Sequence, residues 1–184
     1  LASAFTILFL FWTITHLAKK IIVKTNEEIN NSKLIAIIGT AMIGSLAYTF
    51  SDTFWFSAVE AEVYALSSLF TAIVFWAILK WEHIEDKSEA NRWLILIFYM
   101  MGLSIGVHLL NLVTLPALRL IFYFKKYKPT TRGVVYTLII SFFLIVLINN
   151  FIIPGLPGIA GSFEIFFVNN IGLPFKSGII IFML

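Results

Sequence analysis

Apolar residues run along this chain in long blocks, and polar residues are crowded into the gaps between them. The blocks cover about Leu1–Leu17, Leu34–Phe50, Val63–Leu79, Trp93–Phe124 and Gly133–Ile148, and another begins at Gly178. A helix needs roughly 17–25 apolar residues to cross a ~30 Å hydrocarbon core. These blocks have that length, and they lack the alternation of outer-membrane strands. The pattern predicts an all-α polytopic bundle of membrane helices. In the second block Gly39, Ala41, Gly44, Ser45 and Ala47 suit close approach of a neighbouring helix.

One block is too long. Trp93–Phe124 as a single helix at ~1.5 Å per residue would reach roughly 48 Å. The alternative is two short helices meeting near His108–Asn111, with Pro116 just inside the second. Charge decides between them, because basic residues in short loops mark the cytoplasmic side. With the hairpin, Lys19, Lys20, Lys24, Lys33, Lys80, Lys87, Arg92, Arg119, Lys125, Lys126, Lys128 and Arg132 all fall on one side. Lys176 alone falls on the other. A single helix would throw Lys125–Arg132 to the wrong face. The hairpin gives about six spans and the start of a seventh. It turns Ser51–Glu62, His108–Asn111 and a turn-rich Asn149–Ser177 segment to the non-cytoplasmic side.

Composition agrees. The chain is 60% apolar and 12% charged, against roughly 45–50% and 25% in soluble domains. There is no cysteine, so disulfides and thiolate metal sites are excluded. The net charge of +3 is spread over short loops and forms no nucleic-acid stripe. Because the chain begins and ends inside apolar blocks, residues 1–184 are expected to be a fragment of one transmembrane domain.

Chemistry gathers in Ser51–Tyr64, SDTFWFSAVEAEVY, where Asp52, Glu60 and Glu62 have no basic neighbour and Phe54, Trp55, Phe56 and Tyr64 are interleaved. One reading is the mouth of an active site. The other is acids solvated at a helix start, where negative charge gains ~0.3–1 kcal/mol. Trp55 and Phe56 fit a substrate-stacking role or an interfacial aromatic belt equally well. On a helix Glu60 shares a face with Tyr64 and not with Glu62. His108, in GLSIGVHLLNL, is an ionisable group near membrane depth and a functional candidate for that reason, with Asn111 as companion. The other reading of His108 is a structural histidine bonded to backbone. Gly102 and Gly106 read as helix packing. His16 and His83 fall at cytoplasmic ends and are assigned no chemistry. Glu164, in GSFEIFFVNNIGLPF, is expected on an interfacial connector, with a lid or acceptor-docking role as the alternative. No P-loop, dinucleotide-binding, zincin or hydrolase-elbow pattern occurs.

Three stretches, SDTFWFSAVEAEVYALSSLFTA, RWLILIFYMMGLSIGVHLLNLVTLPAL and GSFEIFFVNNIGLPFKSG, resemble the bacterial protein O-mannosyltransferase-like multispanning membrane family of glycosyltransferase family 117. The resemblance implies a GT-C fold. It further implies transfer of a mannose-like sugar from a polyprenyl-phosphate donor to Ser/Thr hydroxyls of a secreted protein, on the periplasmic or luminal face. The main catalytic acid would lie upstream of this chain, leaving Glu60 and Glu62 as supporting acids. Asp52, Trp55, Tyr64, His108, Asn111 and Glu164 would bind substrate. His108 would stand where relatives set a basic residue against the lipid phosphate. A divalent metal is a candidate cofactor. The expected partners are the bilayer, the lipid-linked sugar and the acceptor protein, with no nucleic acid. The expected location is a bacterial inner membrane, basic loops cytoplasmic and acidic loops periplasmic. Residues alone leave two competitors of other classes: a proton- or cation-coupled secondary transporter using Glu60, Glu62 and His108, and a catalytically silent membrane scaffold in which substituting the acids does nothing.

Overall fold

A computed structural model describes residues 1–23, 27–60 and 63–184. The apolar blocks become helices, and the polar gaps supply their ends. Helix α1 (Ala2–Ile22) runs past the expected stop at Leu17 and carries Lys19 and Lys20 in its last turn. Helix α2 (Asn31–Thr49) starts where the Asn30 side chain accepts the Lys33 amide at 2.9 Å. Short α3 (Asp52–Val59) leads into α4 (Tyr64–Glu82). Helix α5 (Lys87–Val107) begins six residues before the apolar block at Trp93. The Asp86 carboxylate accepts the Glu89 amide at 2.8 Å and satisfies one of the free donors of that first turn.

The Trp93–Phe124 block breaks where the hairpin needs it. His108 is extended (φ −156°, ψ 126°), and a 3-10 turn, Leu109–Thr114, joins it to α6 (Leu115–Lys126) with Pro116 in the first turn. The chain then returns, because Lys125 Nζ donates to the carbonyls of Trp81 and Ile84 at the far end of α4. The α6 helix has 12 residues, or about 18 Å, and falls short of a ~30 Å core. The span count is accordingly lower than expected. Among the described residues five helical runs are long and apolar enough to cross a membrane: α1, α2, α4, α5 and the continuous run Thr131–Asn169.

The chain divides into two compact units, Leu1–Val134 and Val135–Leu184. In the first, α4 is the central helix. Its Val74, Ala77, Ile78 and Trp81 recur at helical spacing and bury against Ile97 and Met101 of α5 and Leu118 of α6. Trp81 stacks on Phe122 at 5.5 Å. Parallel to α4 lies α1, tied at its end by the Lys20–Glu82 ion pair. On α2 the buried stripe is Ile37, Ala41 and Ser45, and a Cβ on Gly44 would come within 2.9 Å of Ile14. Of the small residues expected to pack, Gly39 meets nothing within 4 Å and Ala47 is exposed. Gly102 and Gly106 likewise face open space and pack against no helix.

The second unit departs most from expectation. Helix α7 (Thr131–Leu147) enters the unit at Val135 and continues through a wide π-turn, Ile148–Ile152, into α8 (Ile153–Asn169). The IPGLPG segment, expected as turns, is helical. The Ile153 amide reaches five residues back to the Ile148 carbonyl, and that wide turn makes room for Pro154 in the first turn after it. Pro157 sits inside α8. A proline forfeits one helical bond, but an open loop in apolar surroundings would strand many unsatisfied backbone groups. A reversal through Gly172 (φ 78°) and Lys176 (φ 77°) leads to α9 (Ser177–Met183), which packs back on α8. Gly178 permits that approach. A Cβ there would lie 2.4 Å from Glu164 Cα and 2.6 Å from the Phe163 carbonyl.

Candidate functional site

The acidic-aromatic stretch forms one end of the first unit, between the end of α2 and the start of α4. Serine 51 precedes α3, and Asp52 occupies its first turn. The carboxylate therefore sits where the helix dipole favours negative charge. Phe54 is the buried anchor of this short helix and packs on Tyr48 with ring centroids 4.6 Å apart. That anchor leaves Trp55 and Phe56 outward, and Trp55 stacks on Phe50 at 6.3 Å, nearly parallel at 15°. Phe50, Asp52, Trp55 and Phe56 together line an open cavity of about 300 Å³. An exposed carboxylate beside flat aromatic faces can accept hydrogen bonds from a polyol while the rings cover its C–H face.

Glu60 caps the C-terminal end of α3 in extended conformation and is exposed. The predicted Glu60–Tyr64 helical face does not form, because Glu60 ends one helix and Tyr64 begins the next. Glu62 lies outside the described residues. Tyr64 instead meets His108, ring centroids 5.4 Å apart. Two segments distant in sequence are thus brought together at this end.

His108 Nδ1 accepts the Leu110 amide at 3.1 Å and caps the 3-10 turn. A ring nitrogen that accepts must be unprotonated, so in this arrangement the ring proton is on Nε2. Nε2 is then the ring nitrogen left for a ligand. His108 also has a structural task, performed by bonding to a backbone amide rather than to a carbonyl.

Asn111 is 4% exposed and is bonded through both ends of its amide. Its Oδ1 accepts from Ser67 Oγ and Thr71 Oγ1, both at 2.9 Å, and its Nδ2 donates to the Ser104 carbonyl at 3.1 Å. It ties α4, α5 and the 3-10 turn together and does not line the cavity at Asp52. Glu164 lies in the second unit and was expected on an interfacial connector. It is buried on α8, with its carboxylate oxygens accepting the amides of Lys176 (2.5 Å) and Ile179 (3.1 Å) at the start of α9.

Sequence reasoning passed over a line of hydroxyls inside the first unit. Thr6, Thr13, Tyr48, Ser67, Ser68 and Thr71 border a cavity of about 440 Å³ among α1, α2 and α4. Their signal was present as Ser/Thr recurring at spacings of three, four and seven in otherwise apolar helices. Among the described residues no three histidine, aspartate or glutamate side chains converge as a metal site would require.

The family model described as "Protein O-mannosyl-transferase TMEM260 N-terminal domain" matches residues 1–131. No curated protein and no solved structure matches the chain. The matched span holds α1 to α6 complete, together with the acidic-aromatic end and His108. The chain belongs to that protein O-mannosyl-transferase family.

Proposed function

We propose that this chain is part of a membrane glycosyltransferase of GT-C type that moves a mannose-like sugar from a polyprenyl-phosphate donor to Ser/Thr hydroxyls of secreted proteins. Family membership supports protein O-mannosyl transfer. The observation that carries the site assignment is the cavity of Asp52, Trp55, Phe50 and Phe56, where a carboxylate stands beside a stacked aromatic pair. In this reading the donor sugar occupies that cavity. The acceptor oxygen bonds to the anomeric carbon as the bond from that carbon to the phosphate oxygen breaks, and the polyprenyl phosphate leaves with the electron pair. A carboxylate takes the hydroxyl proton; Glu60 and Glu62 assist as neighbouring acids. The Nε2 proton of His108, beside Tyr64, hydrogen-bonds the leaving phosphate oxygen.

Sidedness rests on charge. Lys20, Lys125 and the end of α4 meet at one end of the first unit, and positive loops stay cytoplasmic. The acidic end then faces the periplasm or lumen, the compartment of secreted acceptors. A transporter would carry its ionisable groups mid-helix, whereas Glu60 is an exposed cap.

The test is intact-mass analysis of an acceptor protein incubated with the full-length protein in liposomes and a polyprenyl-phosphate mannose. Asp52→Asn and Trp55→Ala are expected to cut transfer at least tenfold, about 1.4 kcal/mol, with helicity unchanged. Full transfer by both variants would remove this cavity from the reaction. Transfer that survives a chelator would assign charge neutralisation of the phosphate to protein groups, and loss with chelator would assign it to a divalent ion.

A further inference from the structure

We propose that the opposite, basic end of the first unit carries a phosphate-binding site between α1 and α4. It is a cavity of about 430 Å³ bordered by Thr13, His16, Lys19 and Lys80, with Trp12 and Trp76 as its apolar wall. Two polar atoms of its lining residues lack a partner in the fold. His16 Nε2 and Thr13 Oγ1 are both shut off from solvent and make no hydrogen bond. A buried polar atom without a partner costs about 1–3 kcal/mol, a cost each of these two would shed if its side chain turned into the cavity onto a ligand.

The charge balance has the matching sign. Lys20 is neutralised by Glu82. Among the described residues neither Lys19 nor Lys80 has a carboxylate at ion-pair distance. Lys80 lies over the Trp76 ring at 5.9 Å. The C-terminal ends of α1 and α4 contribute roughly half a negative charge each. Two free ammonium groups exceed that total by about one positive charge.

The ligand chemistry follows. Two ammonium groups, an imidazole and a hydroxyl present several donors around one volume, which suits the clustered oxygens of a phosphate better than a flat carboxylate. The wall is aromatic, with Trp12, Trp76 and Phe9 packed edge to face or tilted within 6 Å of each other. The shared chemistry is a phosphate anion, borne by a membrane lipid or free in solution. The site is remote in sequence from the Asp52 cavity and does not depend on that reading.

The experiment uses the full-length protein in phosphatidylcholine nanodiscs containing either brominated phosphatidic acid or brominated phosphatidylcholine as a tryptophan quencher. Preferential quenching by phosphatidic acid is expected. Lys19→Ala and Lys80→Ala should each weaken it about fivefold, whereas Lys19→Arg with Lys80→Arg keeps it. Lys87→Ala and Lys128→Ala, each of which removes the same single charge outside the cavity, should leave it intact. Inorganic phosphate is added as competitor: displacement of the lipid identifies free phosphate as a sufficient ligand, and no displacement identifies the lipid. Both support the site. Equal quenching by the two lipids overturns it. So does an equal loss in the Lys87 and Lys128 controls, which would show diffuse surface attraction in place of a site.

Discussion

Asn111→Ala tests whether the hydrogen-bonded clamp holds the first unit together. The substitution deletes three side-chain hydrogen bonds, to Ser67, Thr71 and the Ser104 carbonyl. At ~0.5–1.5 kcal/mol net each, the ceiling is about 4.5 kcal/mol. Two features of the structure lower it. Ser67 and Thr71 are helical hydroxyls that can turn back to carbonyls one turn earlier. The Ser104 carbonyl keeps the His108 amide at 2.9 Å. Polar pairs between membrane helices average only about 0.6 kcal/mol, so three come to about 2 kcal/mol. That is roughly a thirtyfold shift in the folding equilibrium. The assay is reversible unfolding in mixed micelles, run as a double-mutant cycle with Ser67→Ala. Coupling near 0.6 kcal/mol is expected for that pair. Wild-type stability in Asn111→Ala, or zero coupling to Ser67, would refute the clamp. A loss of transfer with stability retained would return Asn111 to the substrate site.

In the second unit, Gly178→Ala forces a Cβ against the backbone of Phe163 and Glu164, so α9 must move off α8. Faster tryptic cleavage after Lys176 is expected, while Gly158→Ala, with nothing within 4 Å, should leave the rate unchanged. Glu164→Gln replaces one acceptor oxygen with a donor amide facing a backbone N–H. The cost of about 1–3 kcal/mol should appear as faster hydrogen exchange at the Lys176 and Ile179 amides. Unchanged exchange there would mean that Glu164 does not hold the start of α9.

Helix existence and the hairpin were legible because each rests on a constraint that acts along the chain. Apolar length sets the spans, and the run Lys125–Arg132 forces the reversal at His108 whatever the local propensity. Helix starts were not legible from apolar length. Asp86-Lys87-Ser88-Glu89 looks like loop by hydropathy and becomes helix by capping. The IPGLPG segment misled for the opposite reason. Proline and glycine mark turns where water can take over the freed backbone groups. Where it cannot, a π-turn and a helix that takes in Pro157 keep more of those groups bonded.

The candidate site divides along the same line. Asp52 and Trp55 were found by type and share a cavity, because a short helix with one buried anchor, Phe54, leaves its other residues outward. The Glu60–Tyr64 pairing failed because it assumed one helix across a junction between two. Asn111 was singled out as companion to His108, and Glu164 as the acid of an interfacial connector. For both, the bonds seen in the fold supply a structural role: Asn111 joins three segments and Glu164 closes a helix start. His16 is the reverse case. It was set aside for lying at the basic end, yet its Nε2 and Thr13 Oγ1 are among the buried polar atoms that the fold leaves without a partner. Residue type and depth therefore select candidates for chemistry, but the unspent hydrogen-bonding capacity of each group decides which of them a ligand has left to bind.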